Sequence, residues 1–432
     1  MKKHLHSGIG LASLERKWFL PLVASSVVSL TLFIAATLSL SVSSDGKISS
    51  GFSLLLSREA DAESHMEPKL ILFPSSGMPD PPRLAYVISG TKGDGNRMRR
   101  VLQALYHPRN YYLLHLDREA SSRERVELAR YVKLEPTFIK AENVYVVGKA
   151  NLVTYSGPTM IACTLHAAAI LLRKHKDWDW FINLSASDYP LMPQDDLLHV
   201  LSYLPRDLNF IEHTSDIGWK EFQRAKPIIV DPGLFMSAKA DVFWVTQRRA
   251  VPSSFTLFTG SAWVALTRAF VEFCIVGWDN LPRTVLMYYT NFVSSPEGYF
   301  HTVICNTREF QNTTLNHDLH YITWDNPPKQ HPLSLGLAYF ENMTTSGAPF
   351  ARKFDNNDPV LDKIDKELLG RREGRLTPGG WCLGSYTKGR DPCSVMGDSS
   401  VLRPGAGTMR FEKLVRRLMS KENFRRNQCS IY

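Results

Sequence analysis

The chain has 432 residues, of which 44% are hydrophobic and 22% are charged, as is ordinary for a globular protein. This composition excludes collagen, coiled-coil and multi-pass membrane proteins. The net charge of +9 comes from 51 basic and 42 acidic residues, and because most of the basic residues are scattered it gives only a weak indication of partners.

The N-terminal region contains one long uncharged segment. No charged residue occurs between positions 18 and 44, which is long enough for a helix to cross a bilayer. Basic residues precede it, and the positive-inside rule keeps them cytoplasmic. We therefore predict a cytoplasmic tail over 1–17 and a signal-anchor over 18–44, in preference to a cleaved signal peptide, whose apolar centre is shorter. A Ser- and Pro-rich stem over 45–82 then leads into the lumen.

Strands and helices alternate from residue 84 onward. The predicted strands cover 84–89, 111–117, 144–147 and 180–185, and the predicted helices cover 96–106, 121–133 and 157–174. This alternation predicts an α/β fold with a mainly parallel sheet, and ligands bind outside the carboxyl ends of such strands. That rule selects Ser89, Asp117 and Asp188 as residues of the floor of a ligand site.

The pattern becomes irregular after about residue 205, which indicates an acceptor-binding region joined to the sheet. Beyond residue 350 the chain is basic, and we expect little regular structure before an amphipathic helix at about 409–422. A lumenal location permits disulfides, and six cysteines allow 15 pairings, of which Cys382–Cys393 is plausible. Of three glycosylation sequons, Asn183 lies in a strand, so Asn312 and Asn342 are the better candidates.

Two motifs resemble phosphate-binding motifs but lack the residues or the position that such sites require. Residues 90–95 read Gly-Thr-Lys-Gly-Asp-Gly, which lacks the Lys-Ser/Thr of a P-loop. Asp177 and Asp179 form an Asp-x-Asp pair of the kind that holds Mn²⁺, but they precede their strand and so lie at the wrong edge of the sheet. We therefore expect no metal, and fixed cations must stabilise a leaving diphosphate.

Candidates for those cations and for a base lie in the second half of the chain. Lys329, Arg352 and Lys353 are the candidate cations, with solvated surface residues as the alternative. Glu297 lies in a turn beside aromatic residues and His301, where a carboxylate can act as a general base for a hydroxyl. On spacing alone, a Glu next to a helix N-cap is the simpler interpretation.

Several segments in order resemble one enzyme family. They are Ala85–Ile88, Tyr112–Asp117, Trp180–Pro190, Phe258–Trp263 and Ser295–Val303. Over about residues 83–355 the chain resembles glycosyltransferase family 14, which contains core-2/I-branching N-acetylglucosaminyltransferases and peptide O-xylosyltransferases. Residues 89–94, the segment 324–328 and Trp381-Cys382 look most like the plant branch, whose members are β-glucuronosyltransferases acting on arabinogalactan-protein glycans.

The resemblance implies a GT-A-like, Rossmann-like catalytic domain over 83–355, with a C-terminal extension over 356–432 packing on it. It also implies a single-pass type II protein of the Golgi membrane with a lumenal catalytic domain, a UDP-sugar donor and metal-independent inversion. Glu297 falls where the family has its catalytic base. Lys353 matches a Lys that contacts the donor diphosphate, and Asp117 matches an acid that contacts uridine.

The expected reaction moves glucuronic acid from UDP-glucuronic acid to a galactan acceptor on a glycoprotein. We expect Ser89, Asp117, Asp188, Lys353 and Lys329 at the donor. Arg224 or Lys226 are candidates for the glucuronate carboxylate, and Trp219, Trp263 and Trp324 for stacking on acceptor sugars, with core tryptophans as the alternative. UDP-xylose or UDP-N-acetylglucosamine as donor, or a glycan-binding protein without catalysis, are the other interpretations. We expect no nucleic-acid partner.

Overall fold

A computed structural model describes residues 79–235, 241–327, 329, 331–386 and 391–430. The predicted cytoplasmic tail and signal-anchor, and all but the last residues of the predicted stem, lie outside these residues. Within the described ranges, none of the helices has the length and apolar character needed to span a membrane.

A seven-stranded sheet forms the centre of the unit that spans 67–432. Its strands, in spatial order, are β12 (Thr314–Leu315), β6 (Asn209–Phe210), β11 (Ala265–Thr267), β4 (Trp180–Ser185), β1 (Leu84–Gly90), β2 (Tyr111–Leu116) and β3 (Val144–Val146). β4, β1, β2 and β3 run parallel, whereas β11 is antiparallel to both of its neighbours. The predicted α/β fold with a mainly parallel sheet is confirmed.

Helices cover both faces of this sheet. They are α1 (Gly95–Leu105), α2 (Ser122–Leu134), α3 (Pro136–Ala141), α4 (Thr159–Lys174), α5 (Gln194–Ser202), α6 (Arg268–Val276), α7 (Leu281–Tyr289) and α8 (Tyr299–Cys305). In β1, Tyr86 and Ile88 pack in the core that contains α1 and α2, while Ala85 and Val87 pack in the core that contains α4 and α6. The two-residue period of a strand thus places two apolar layers against one sheet.

Three smaller sheets extend the central one. β5 (Asp188–Pro190), β14 (Phe350–Arg352) and β13 (His320–Ile322) form one of them, β7 (His213–Thr214) and β10 (Thr259–Gly260) another, and β8 (Pro227–Val230) and β9 (Phe243–Arg248) a third. Short helical turns lie between them at Glu221–Ala225, Pro232–Phe235 and Ser295–Glu297. These pieces carry the predicted irregular region and border the carboxyl edge of the main sheet.

The C-terminal region is more regular than predicted. Besides α9 (Phe340–Thr345), it contains α10 (Pro359–Glu367), α11 (Ala406–Leu418) and α12 (Lys421–Arg426). The expectation of little structure between 350 and 409 was wrong, because Val360, Leu361 and Ile364 give α10 a buried face that packs in the sheet's core. The single helix expected at 409–422 is two helices, separated at Ser420, which caps α12.

Residues beyond 356 share the core of the parallel sheet. Trp381 and Phe411 are fully buried in the same cluster as Tyr86. Asp195 at the start of α5 accepts hydrogen bonds from the backbone N–H of Gly380 (2.7 Å) and Arg403 (2.6 Å). The Cys382–Cys393 disulfide suggested by the sequence is present, and a second disulfide joins Cys305 to Cys429.

Candidate active site

A cavity of about 620 Å³ opens at the carboxyl ends of β1, β2 and β4. Its lining includes Ser89, Asp117, Asn183, Ser185 and Trp263. Because the strands are parallel, the residues that follow them converge at one edge, as the sequence predicted. The volume is in the range that proteins use for small-molecule ligands.

Asp117 is held in a fixed orientation at the floor of this cavity. It is 2% exposed. Its Oδ2 accepts a hydrogen bond from the Thr91 hydroxyl (3.0 Å), and its Oδ1 accepts one from the Glu119 backbone N–H (3.0 Å). Asp117 is therefore preorganised to accept hydrogen bonds from a ligand's hydroxyl groups.

The glycine-rich turn after β1 uses its backbone amides internally. Glu124 Oε1 accepts hydrogen bonds from the N–H groups of Gly93 (3.1 Å) and Gly95 (3.0 Å). In a P-loop, amides of this kind hold phosphate oxygens. Here a carboxylate of the protein occupies that position, which is the physical reason why this turn is not a P-loop.

The Asp-x-Asp pair lies at the opposite edge of the sheet. Asp177 accepts a hydrogen bond from the Tyr111 hydroxyl (2.8 Å), and Asp179 accepts one from the Arg83 backbone N–H (2.8 Å) at the start of β1. Both acids therefore close the amino-terminal edge of the sheet. Within the described residues, the one cluster of three metal-ligating groups is His213, Cys305 and Cys429, and its two sulfurs are joined to each other.

Arg352 places a cation beside the cavity, in contact with one of the residues that line it. Its guanidinium carbon lies 4.0 Å from the ring centroid of Trp263, which lines the cavity. Asp188 Oδ1 is 3.6 Å from Arg352 Nη1, while Asp188 Oδ2 accepts the Ser185 N–H at 2.6 Å. In the described part of the chain, Arg352 Nη1 has no hydrogen-bond partner although it is buried.

Three predicted site residues take different positions from those expected. Asp188 is 1% exposed and outside the cavity lining, so it orients Arg352 from behind. Lys329 is 75% exposed and pairs with Asp325 (3.4 Å) away from the cavity. Trp263, expected at the acceptor, lies under Arg352 at the donor wall. Lys353 adjoins Arg352 and is partly buried, and like Arg352 it is not among the residues that line the cavity.

Glu297 ends the short turn before α8 and is ion-paired with Arg224. Its carboxylate side chain is 23% exposed and therefore accessible from the cleft. The Thr259 hydroxyl donates to the Glu297 carbonyl oxygen (3.0 Å) and accepts from Lys220 Nζ (3.1 Å). These contacts fix both the backbone and the carboxylate of Glu297. Lys226, the other candidate for a donor carboxylate, pairs with Glu221 at 2.6 Å.

One loop connects Glu297 to the donor cavity. Residues 153–156 line the cavity, and the Ser156 carbonyl oxygen accepts the backbone N–H of Ser294, three residues before Glu297 (2.9 Å). Tyr155 in this loop lines the cavity. Burial raises the pKa of its phenol, and the charge of Glu297 raises that pKa further. The loop therefore lies between the cavity and the segment that carries Glu297.

Glu212 and Lys220 are site residues that the sequence analysis missed. Desolvation within the cleft, reinforced by the charge of Asp318, raises the pKa of Glu212 to about 7 even though part of its side chain meets solvent. Burial lowers the pKa of Lys220, which the charge of Glu297 partly offsets. No motif marks them, because they lie in an irregular loop and are brought to Glu297 by the β7–β10 pairing.

His301 supports this acceptor side from beneath. It is fully buried, and burial together with the charges of His213 and Lys220 lowers its pKa to about 3. Its role is therefore that of a neutral core residue under the site.

The other predicted residues differ in exposure. Trp219 and Trp324 are exposed by 57% and 47%. Of the sequon asparagines, Asn312 and Asn342 are exposed, whereas Asn183 is buried.

Comparisons with known proteins identify relatives along nearly the whole chain. A sequence profile described as the Core-2/I-Branching enzyme matches residues 84–344. The chain is 60% identical over 424 residues to the Beta-glucuronosyltransferase GlcAT14A of Arabidopsis thaliana, covering 97% of this chain and 94% of that protein. It is 61% identical over 419 residues to the Beta-glucuronosyltransferase GlcAT14B of the same organism, covering 96% of each.

A more distant likeness is to a solved structure. The apo form of mouse Xyloside xylosyltransferase 1 matches with a TM-score of 0.30 and 10% sequence identity, covering 65% of this chain and all of the other.

Proposed function

This chain belongs to the Core-2/I-branching enzyme family and is a glycosyltransferase, and from that premise we propose its donor, acceptor and mechanism. The protein transfers glucuronic acid from UDP-glucuronic acid to β-galactan side chains of arabinogalactan proteins, with inversion and without a metal. The observation that carries the donor assignment is the 60% identity, over 97% of the chain, to a protein named a β-glucuronosyltransferase.

In this proposal the catalytic domain is GT-A-like and the cavity at the carboxyl edge of the sheet holds the UDP moiety. The uracil lies near Ser89, and Asp117 accepts hydrogen bonds from the ribose. The diphosphate extends toward Arg352, which packs on Trp263 of the cavity wall and pairs with Asp188 at 3.6 Å. Lys353 and Arg352 then stabilise the negative charge that grows on the leaving diphosphate, as fixed cations can do without a metal. In this proposal Arg352 replaces Lys329 as the second cation at the diphosphate.

Glu297 is the general base for the acceptor hydroxyl. Glu297 takes the proton of a galactose hydroxyl as that oxygen bonds to C1 of glucuronic acid, while the bond from C1 to the UDP oxygen breaks. UDP leaves with the bonding electrons, and attack opposite to an α-linked donor gives a β-glucuronide. Arg224 orients the carboxylate through their ion pair, and the 153–156 loop connects the Glu297 segment to the donor cavity.

The protein acts in the Golgi lumen, held by one N-terminal transmembrane helix with the catalytic domain lumenal. The two disulfides and the exposed Asn312 and Asn342 sequons suit an oxidising, glycosylating compartment. Glycosidase-sensitive mass at these two asparagines on protein from plant membranes tests this location, and its absence from both contradicts it.

Donor screening tests the function directly. Residues 45–432, secreted from a eukaryotic host, are mixed with EDTA, a β-galacto-oligosaccharide and each UDP-sugar in turn. Transfer from UDP-glucuronic acid alone supports the proposal. Transfer only from UDP-xylose or UDP-N-acetylglucosamine discards the glucuronate assignment, and loss of activity in EDTA contradicts metal independence. Binding of the oligosaccharide without any transfer supports the alternative of a glycan-binding protein.

A further inference from the structure

An open groove of about 710 Å³ lies beside the candidate acceptor region, outside the donor cavity. One loop forms its walls, through Thr214, Ser215, Asp216, Ile217, Gly218 and Glu221. Trp219 follows Gly218 in the same loop, next to the lining residues, and is 57% exposed. Hydroxyl and carboxylate groups can hydrogen-bond to sugar hydroxyls, and an exposed indole can pack against the apolar face of a sugar ring.

The loop that forms the groove lies close to Glu297. Thr214, at the inner end of the groove, pairs with Thr259 across the β7–β10 ribbon, and the Thr259 hydroxyl donates to the carbonyl oxygen of Glu297 (3.0 Å). Arg224 connects the two a second time, because its guanidinium carbon is 5.3 Å from the Trp219 ring centroid and it pairs with the Glu297 carboxylate. These contacts place the groove within reach of a sugar chain whose reacting residue lies at Glu297.

The wall of the groove is fixed to the catalytic framework. The Ser215 hydroxyl donates to the carbonyl oxygen of Ser430 (2.8 Å) near the C-terminus. The neighbouring Cys429 is joined by a disulfide to Cys305, the last residue of α8, and α8 follows Glu297 directly. The groove and Glu297 are thus attached to the same helix, as a subsite must be if it is to set the position of a substrate.

We propose that this groove is a remote acceptor subsite for uncharged β-linked hexose residues next to the one that receives glucuronic acid. The proposal rests on the proposed transferase function and adds a selectivity to it. Asp216 places a carboxylate in the groove, and Glu221 places a second one that is paired with Lys226 (2.6 Å). A uronate in the groove meets repulsion from Asp216. Neutral chain segments are therefore preferred, which spaces the transferred residues along the acceptor.

The length of the acceptor tests the subsite. The wild-type secreted enzyme should have a higher kcat/KM for a β-galactotetraose than for a β-galactobiose. Trp219→Ala should lower that ratio about fivefold, as expected for the loss of one stacking contact of about 1 kcal/mol. Trp278→Ala is the matched control, since Trp278 is fully exposed and lies between α6 and α7, apart from the loop that forms the groove. An equal kcat/KM for both lengths in the wild type, or an unchanged ratio in Trp219→Ala, overturns the proposal.

Charge on the acceptor tests the selectivity. The second acceptor is the same tetraose carrying one glucuronic acid on a residue other than the one that reacts. At low ionic strength, Asp216→Asn should raise its kcat/KM relative to the neutral tetraose about threefold to fivefold, and added salt should reduce that gain. Asp207→Asn, an exposed site elsewhere, is the control. An unchanged preference overturns the selectivity. Absence of transfer to any galactan by the wild type, in contrast, refutes the proposed function rather than the groove.

Discussion

The donor and acceptor sides of the active site are built in different ways. The donor side consists of residues at the ends of parallel strands, and its acids are already hydrogen-bonded to the protein, as Asp117 is to Thr91. The acceptor side consists of an irregular loop and a helical turn, and there Glu212, Lys220, Arg224 and Glu297 influence one another's charges. A regular sheet positions a nucleotide, whereas clustered charges on loops are suited to moving a proton. Mutations on the acceptor side should therefore lower kcat without weakening UDP binding, whereas mutations on the donor side should weaken UDP binding.

The largest expected effect is on the acceptor side. Glu297→Gln keeps the size of the side chain but cannot accept a proton, so kcat should fall about 10²–10⁴-fold. Because the residue lies outside the donor cavity, the Kd for UDP measured by calorimetry should change less than twofold. Glu309→Gln, at an exposed position, is the control and should keep full activity. Retained activity in Glu297→Gln refutes the assignment of the base, and weakened UDP binding refutes the separation of the two sides.

The donor side should show the reverse pattern. Arg352→Ala removes a cation that packs on Trp263 of the cavity wall and should lower kcat/KM about 10²–10³-fold, with weaker binding of UDP. Lys353→Ala should behave similarly, and Lys329→Ala, which changes an exposed residue paired with Asp325, is the control. If Lys329→Ala has the larger effect on UDP binding, the assignment of Arg352 and Lys353 as the diphosphate-binding cations is wrong.

The difference between the sides also explains what the sequence could predict. Strand period and strand order placed Ser89 and Asp117 at one edge, and the ordered segments from Ala85 to Val303 identified the family, which the relatives confirm. Glu212 and Lys220 were missed because a strand pairing of two residues brings them to Glu297, and such pairings leave no periodic signal. Lys329 stays a prediction, since spacing along a loop does not determine which cation faces the cavity, and its exposed side chain pairs with Asp325.

The loop between the two sides offers a test of how they are joined. A Cβ at Gly157 would lie 2.0 Å from Asp231 Oδ2, and this fully buried carboxylate accepts hydrogen bonds from the Thr159 hydroxyl (2.7 Å) and the Gly233 N–H (2.9 Å). Gly157→Ala should therefore lower the free energy of unfolding by about 1–3 kcal/mol, as overpacking does. Gly148→Ala is the control, because its Cβ would have no described atom within 4 Å. Equal stability of the two variants in urea titrations would show that the loop shifts at little cost to accommodate the added methyl group.

The smallest expected effect of a single substitution comes from the buried histidines. Burial lowers the pKa of His115 on the donor side to about 4, and that of His213 and His301 on the acceptor side to about 4 and 3. In the unfolded chain these groups bind a proton near pH 6.5, so between that pH and about 4 the unfolded state holds more protons than the folded one. The free energy of unfolding should therefore fall as the pH falls, by about 1 kcal/mol per pH unit for each histidine.

Substitution of one histidine on each side measures its share of that loss. His301→Asn and His115→Asn should each make the decrease between pH 7 and 5.5 shallower by about 1 kcal/mol, whereas the exposed His331→Asn should leave it as in the wild type. His115 Nε2 accepts the backbone N–H of Asn151 (3.0 Å) next to the cavity loop, so its protonation also breaks a contact on the donor side. Acid should accordingly weaken UDP binding in the wild type and much less in His115→Asn. An identical pH dependence of UDP binding in both proteins would show that protonation of His115 does not affect UDP binding.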